Sequence, residues 1–329
     1  MGLNVRRRDA GDPYKGAGEP LAAGPREAIA RGLRFLENAV DANGGWPVRR
    51  CGNRTLTGPG SAEHPPFVAG LGLLALRGCD HPVAERLRRR TRTFLHACIG
   101  YPGVWRYWPR LPPDLDDTAI CSLAAGPHLW LLLARNVALL LSFRDRAGRF
   151  RTWMAGPQRV SHALNPVDSV VNANVVAYLG DRPETRAAQH WLKTLVVDGS
   201  QQDLSLHYYP AAIDLYVALA RARSLAPPVF AGLRPVLATR ILSCRRPDRG
   251  FGDTMRTAQA LTALHRLCAD AQVEVVHTAI GQLLDAQRAD GGWPECLAWL
   301  GQPGTELGFG SEAFTTACCV EALACVASA

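Results

Sequence analysis

Residues 287–294 read Gln-Arg-Ala-Asp-Gly-Gly-Trp-Pro, a glycine-rich turn that ends in a tryptophan. Shorter copies, in which glycine is followed by an aromatic residue, begin at residues 44, 103, 148 and 250. From the first copy to the last, these turns are separated by 59, 45, 102 and 41 residues. A weaker turn at Asp198-Gly199 divides the long interval, so the sequence predicts six repeated units.

Each turn lies between two helical patterns. The pattern before the turn is amphipathic, and the pattern after it is more apolar and rich in Ala and Leu, as in helices buried on most sides. The predicted first helices are 28–40, 87–99, 131–143, 185–195, 236–242 and 275–287. The predicted second helices are 67–76, 118–133, 168–179, 211–222, 254–267 and 312–327.

Strand signals are nearly absent, so the predicted fold is all-α: an (α/α)6 double barrel of six helical hairpins with Gly-Trp turns. An open solenoid would need polar end units, whereas the last helix is as apolar as the middle ones, which favours a closed ring. We expect one barrel domain over residues 25–329, preceded by a flexible arm over residues 1–24. The loops that enter the inner helices should gather at one end, around a central cavity.

The repeat has a family likeness. Gln287 to Trp293 resembles the Q-x3-G-x-W turn of terpene cyclases and prenyltransferase β subunits, and residues 43–47 form a partial second copy. The glycines permit a tight turn and the tryptophan can stack on a helix end, so these residues indicate the fold rather than the reaction. The resemblance implies a single barrel similar to the terpene cyclase β-domain.

One acidic motif indicates the chemistry. Asp114-Leu115-Asp116-Asp117-Thr118-Ala119 resembles the D-x-D-D-T-A motif of class II terpene cyclases, such as squalene-hopene and class II diterpene cyclases. The alternative is an Asp N-cap followed by acidic first-turn residues. The resemblance implies that Asp116 donates a proton to a polyene, with Asp114 and Asp117 positioning it. A neutral carboxylic acid in an apolar cavity, beside other carboxylates, suits that role.

The sequence offers little support for a metal or a cofactor. Class I terpene synthases bind magnesium through a D-D-x-x-D cluster, and Asp116-Asp117 lacks the further Asp at that spacing. Prenyltransferase β subunits bind zinc with Asp, Cys and His, and no matching D-x-C element is present. We therefore expect neither.

A carbocation must be stabilised without being attacked, and aromatic faces do this. The candidates near the expected cavity are Trp105, Tyr107, Trp108, Trp153, Tyr208, Tyr209, Phe251 and Phe309. Asn165, Asp168 and Asn172 form a polar group at the start of the next inner helix. They are predicted either to hydrogen-bond Asp116 or place the final base, or only to cap the helix.

The composition and the cysteine pattern bear on the cellular compartment and on possible partners. Ten cysteines without a Cys-x-x-Cys pair are typical of a reducing cytoplasm, and no secretory or membrane-spanning stretch is visible. Residues 1–110 hold 18 Lys and Arg against 9 Asp and Glu. This basic third could attract a diphosphate, an anionic membrane surface or nucleic acid, although a solvated face is the simpler interpretation.

The predicted function is protonation-initiated cyclisation of an isoprenoid small molecule: a prenyl diphosphate, an epoxide or a prenylated small molecule. Nucleic acid is not expected as a partner. Peripheral membrane contact, and a homodimer or partner that completes the cavity, remain open. Two other functions also remain open. One is a carboxylate-dependent hydrolase or lyase that pairs Asp116 with Asp168 or Glu312, and the other is a non-catalytic interaction barrel.

Overall fold

The structure, a computed structural model, describes residues 24–126, 130–156, 158, 160, 164–198, 204–246, 250–267 and 273–327. The predicted N-terminal arm, apart from Gly24, and Gly199 of the weak turn lie outside the described residues. The described part of the chain is mostly helical. Its odd-numbered helices are α1 (Pro25–Ala39), α3 (Pro82–Cys98), α5 (Trp130–Ser142), α7 (Arg186–Val197), α9 (Arg234–Ser243) and α11 (Val273–Asp285). Its even-numbered helices are α2 (Pro66–Ala75), α4 (Leu115–Ala125), α6 (Ser169–Leu179), α8 (Ala212–Leu225), α10 (Thr254–Arg266) and α12 (Glu312–Ala327).

The six even-numbered helices form a closed ring. Each packs against the next along the chain, and α12 packs against α2 to close the circle. They are buried on nearly every side: all ten residues of α2 are buried. Helices α1, α3, α7, α9 and α11 pack on members of the ring and bury only one stripe, as in Leu33 and Leu36 of α1. The predicted second helices are therefore the inner ones, and they are buried over more of their surface than these outer helices.

The turn tryptophans tie the outer helices to the ring. Trp46, Trp105 and Trp293 are fully buried. The indole Nε1 of Trp105 donates to the Leu95 carbonyl at 3.0 Å, and that of Trp293 donates to the Leu283 carbonyl. The indole of Trp46 donates instead to the Thr91 hydroxyl of α3, at 2.9 Å. Their role is structural, because each ties its turn to an outer helix.

The all-α prediction was wrong in one respect, because two loops form a small antiparallel sheet. Its strands are β1 (Val48–Cys51), β2 (Gly60–Glu63), β3 (Leu297–Leu300) and β4 (Gly308–Gly310), in the order β2-β1-β4-β3. The β1–β2 and β3–β4 hairpins each follow a Gly-Gly-Trp-Pro turn. They pair through β1 and β4, where Arg49 lies opposite Gly310. Strands of three or four residues are too short for a clear alternation of apolar and polar residues.

Several helix boundaries differ from the prediction, and the largest difference is at the end of α4. The helix predicted over 118–133 ends at Ala125, because Gly126 adopts a φ of 81° that side-chain-bearing residues rarely reach. The next helix begins at Trp130. Over the described residues, no helix is both long and apolar enough to span a bilayer.

Candidate active site

The aspartate motif forms the first turn of α4. Asp114 is the N-cap, and its Oδ1 accepts a hydrogen bond from the Asp117 amide at 2.7 Å. The capping alternative is therefore correct for Asp114. Asp116 and Asp117 follow inside the helix, and all three carboxyls are buried. A helix cap needs only one of these carboxyls, and burying the others costs free energy. Capping therefore explains Asp114 but not the burial of Asp116 and Asp117.

Asp116 is held by two donors from neighbouring segments. Asn174 of α6 donates from Nδ2 to Asp116 Oδ1 at 2.7 Å. Tyr209, in the loop before α8, donates from its hydroxyl to Asp116 Oδ2 at 2.5 Å. Both donors favour the ionised carboxylate, so the side chain is prepared to become an anion.

Burial changes the acidity of the cluster. It raises the pKa of Asp116 to about 6, while the bonds from Tyr209 and Asn174 hold the pKa below the value that burial alone would give. Burial, together with the neighbouring Asp114 and Asp116 carboxyls, raises the pKa of Asp117 well above its ordinary value. The Asp117 Oδ2 atom is buried without a hydrogen-bond partner. The cluster therefore retains protons near neutral pH.

The three aspartates open onto a cavity of about 910 Å³, measured with its mouth. Most of its wall is aromatic or aliphatic. The lining residues predicted from the sequence are Asp114, Asp116, Asp117, Tyr107, Trp108, Trp153, Tyr208, Tyr209 and Phe309. Together they place three carboxyl groups in the wall of an otherwise apolar cavity.

The aromatic rings are arranged in two groups. Tyr107 and Trp108 lie 5.6 and 5.9 Å from Phe309, measured between ring centroids. Trp153 lies 6.4 Å from Tyr208 and donates from its indole nitrogen to the Tyr208 hydroxyl. The rings thus contact one another mainly edge to face, which presents some faces to the cavity.

Five of the predicted substrate-binding residues lie outside this lining: Trp105, Asn165, Asp168, Asn172 and Phe251. Asn165 and Asn172 instead exchange hydrogen bonds with the backbone of Trp153 and Phe150. Trp105 and Phe251 are packed in the core. Asn165 and Asn172 therefore hold the 150–153 segment, and none of the five residues lines the cavity itself.

Of the two alternatives predicted for Asp168, helix capping is the one that the structure shows. Its Oδ1 accepts from the Val170 and Val171 amides at the start of α6, and its Oδ2 accepts from the His207 and Tyr208 amides. It therefore caps α6 and fixes the loop that carries the cavity tyrosines. The hydrogen bond to Asp116 that we predicted from this polar group is made by Asn174.

The sequence did not identify several lining residues. Phe67 comes from α2, and Trp299, Gln302 and Leu307 come from β3 and its connection to β4. The β3–β4 hairpin forms part of the cavity wall. Most of the lining residues that the sequence analysis missed therefore belong to the sheet that it did not predict. Asn174 lies two residues beyond Asn172, and the sequence analysis did not include it in the polar group.

Several solved structures have this architecture. A protein from Actinoplanes matches with a TM-score of 0.74 at 18% identity, over 92% of this chain and all of that one. Type II terpene cyclase MstE from Scytonema, in a variant complexed with geranylgeranyl dihydroxybenzoate as substrate, matches with a TM-score of 0.70 at 20% identity. That match covers 92% of this chain and 97% of MstE. The chain has the fold of a type II terpene cyclase.

This cyclase fold is also shared more widely. A possible member of the GH105 family from Salmonella enterica matches with a TM-score of 0.59 at 13% identity, over 99% of both chains. No protein-family model matches the chain, and no curated protein does. At these identities the likeness establishes the fold, and the reaction must be argued from the site.

Proposed function

We propose that the protein is a class II terpene cyclase in which Asp116 protonates a polyprenyl chain. The observation that carries the proposal is the burial of Asp116, held by Asn174 and Tyr209, in the wall of an aromatic cavity. Residues 25–329 would form one (α/α)6 double barrel of six hairpins, for which the closed inner ring is the support.

The reaction would begin with transfer of the Asp116 proton to a terminal double bond or an epoxide oxygen. The resulting carbocation would be attacked by the π electrons of the next double bond, which forms a carbon–carbon bond and moves the charge along the chain. Loss of a proton to a base such as water would end the sequence, and proton exchange with the solvent would regenerate the Asp116 acid. For an alkene substrate the overall change is an isomerisation.

The acidity of Asp116 fits this step. Burial raises the pKa of Asp116 to about 6, so near neutral pH the protonated acid is more accessible than it is for an exposed aspartate. A hydrocarbon that fills the cavity would displace water and favour the neutral acid further, since a charged group is disfavoured in an apolar medium. The two donors would then stabilise the carboxylate when the proton leaves.

The cavity wall fits the later steps. Trp108, Trp153 and Phe309 supply aromatic faces, which attract a cation and do not trap it as nucleophiles. MstE has been captured with geranylgeranyl dihydroxybenzoate as substrate and with merosterolic acid A as product. Prenylated aromatic acids are therefore test substrates alongside prenyl diphosphates and epoxides.

A carboxylate-dependent hydrolase or lyase has less support. Both oxygens of Asp168 are used by backbone amides, and Glu312 pairs with Arg288 outside the cavity lining. Neither is placed to act opposite Asp116 on a sugar bond. The apolar wall also suits a hydrocarbon better than a sugar. A non-catalytic barrel would not account for a buried carboxyl at a cavity.

The test is incubation of purified protein with prenyl diphosphates, polyprenols, epoxides and prenylated phenols and benzoates, without added magnesium. Products would be identified by mass spectrometry. The Asp116→Asn variant keeps the shape of the side chain and removes the acid, so it should lose turnover by a factor of about 100 or more. Asp145→Asn, in a turn outside the cavity, is the matched control. Equal turnover by Asp116→Asn would overturn the proposal.

A further inference from the structure

Arg221 of α8 reaches the aspartate cluster through a single intermediary. Its guanidinium donates to Asn174 Oδ1 at 2.7 Å, and Asn174 Nδ2 in turn donates to Asp116 Oδ1 at 2.7 Å. The two bonds cross from α8 to α6 to α4, three consecutive helices of the inner ring. Since the Asn174 side chain is fully buried, its amide has little freedom to find other partners.

The chemistry of the partners fixes which way the amide faces. A guanidinium only donates hydrogen bonds, so the atom that faces Arg221 must be the amide oxygen. The amide nitrogen must then face Asp116, as a donor. With Tyr209 donating to the other oxygen, both bonds to Asp116 favour its anion. Without Arg221 the amide could rotate, and its oxygen would then accept the proton of the neutral acid.

We infer that Arg221 is a positioning residue that makes Asp116 a stronger acid, by fixing the orientation of the Asn174 amide. The inference rests on the proposed role of Asp116 as proton donor. Arg221 is not among the residues that line the reaction cavity. Its effect is exerted through Asn174, together with the attraction of its positive charge for the Asp116 carboxylate.

Other charged groups around Arg221 and Asp116 also act on the pKa of Asp116 or on Arg221. Asp114 and Asp117 lie beside Asp116 on α4, and Asp168 adds negative charge from the start of α6. Of these carboxyls, Asp168 raises the pKa of Asp116, whereas Asp116 itself raises the pKa of Asp114 and of Asp117. The titratable groups that face Arg221 are Tyr209 and Asp116 on one side, and on the other Arg266 of α10 and Glu321 of α12, which form an ion pair. The positive charge of Arg221 lowers the pKa of Asp116 and so opposes the effect of Asp168, while the charges of Arg266 and Glu321 have opposite effects on Arg221.

Arg221 can be reached from a second cavity. This cavity, of about 1180 Å³ including its mouth, lies where α2, α8, α10 and α12 end. Its lining includes Arg221, Ser224, His265, Arg266 and Glu321. The lost side chain of a shortened variant could thus be replaced by a small cation from solution, without passing through the reaction cavity.

The experiment measures the rate of the first turnover against pH, with the substrate found for the wild type. The rate should fall with rising pH as Asp116 loses its proton. In Arg221→Met the midpoint of this falling limb should rise by about one pH unit, because the Asp116 carboxylate is stabilised less. The rate on the acidic plateau should fall by about threefold to tenfold, because the acid is weaker. Arg221→Lys, another cation that only donates, should restore both values. So should methylguanidinium added to Arg221→Ala, at concentrations far below those that unfold proteins.

Arg223→Met is the matched control, two residues along the same helix and outside the lining of the second cavity. A structural loss alone would lower the plateau without moving the midpoint, and would not respond to methylguanidinium. That outcome, or an unchanged profile in Arg221→Met, would overturn the inference. If Asp116→Asn remained active, the proposed function would fail first. If Asp116→Asn were inactive and the midpoint stayed fixed, only the role of Arg221 would be refuted.

Discussion

Asp168→Asn tests whether one buried carboxylate holds the cavity loop in place. Asp168 accepts four backbone hydrogen bonds, two on each oxygen: Val170 and Val171 on Oδ1, His207 and Tyr208 on Oδ2. Asparagine keeps one oxygen and replaces the other by a donor. Since asparagine is a good N-cap, we expect its oxygen to remain on α6 and the bonds to the 207–208 amides to be lost.

The magnitude follows from the two lost acceptors. A buried donor left unsatisfied costs about 1–3 kcal/mol, so the free energy of unfolding should fall by about 3 kcal/mol. With an unfolding entropy of about 2.1 cal/mol/K per residue, a chain of 329 residues gives about 0.7 kcal/mol/K. The melting temperature should therefore fall by about 4 °C. Turnover should fall as well, because the released loop carries Tyr208 and Tyr209.

The assay is thermal unfolding followed by circular dichroism, with Asp145→Asn as control. Asp145 also accepts two backbone bonds, from Ala147 and Arg149, but both are on Oδ1, so asparagine can retain them. It loses only a partly exposed ion pair, worth about 0.5 kcal/mol. If Asp168→Asn melted within 1 °C or so of Asp145→Asn, the view of Asp168 as the residue that fixes this loop would be wrong.

Two further predictions concern acidity and packing. Tyr209→Phe removes a donor to the Asp116 anion, so the pKa of Asp116 should rise and the falling limb of first turnover should move up by about one pH unit. Tyr107→Phe, whose hydroxyl has no hydrogen-bond partner, should leave that limb in place. Gly72→Ala would place a Cβ 2.6 Å from the buried ring of the first Gly-Trp turn and should lower the free energy of unfolding by about 1–3 kcal/mol. Gly78→Ala meets no atom within 4 Å, so chemical denaturation should show a change of about 0.5 kcal/mol or less.

The helices were predictable because their signal is local. The last inner helix was predicted as 312–327 and is observed as Glu312–Ala327, since a continuous run of small and apolar residues marks a helix that is buried on most sides. The sheet could not be predicted in this way. Cys51 pairs with Gly308, which lies more than two hundred residues away, and such short strands gain their hydrogen bonds only once the ring has brought them together.

The aspartates of the site were predictable because they lie in one sequence motif, whereas their hydrogen-bond partners were not. Asp116 was predicted from the resemblance of residues 114–119 to a family motif, and it does line the cavity. Its partner Asn174 was not distinguished from Asn172, because the choice depends on how α6 is rotated relative to α4. Arg221 gave no signal, since an arginine in an apolar helix indicates neither its partner nor the direction of the bond. These contacts depend on the packing of three helices, which no single segment encodes.

The most direct test of the account is the reaction in D2O, with the product analysed by mass spectrometry and NMR. If Asp116 gives its exchangeable proton to a carbon of the polyene, an alkene substrate should yield product with a single deuterium, located at the terminal carbon that is protonated first. Asp116→Asn should give no labelled product. A cyclised product without deuterium at that carbon would contradict the account.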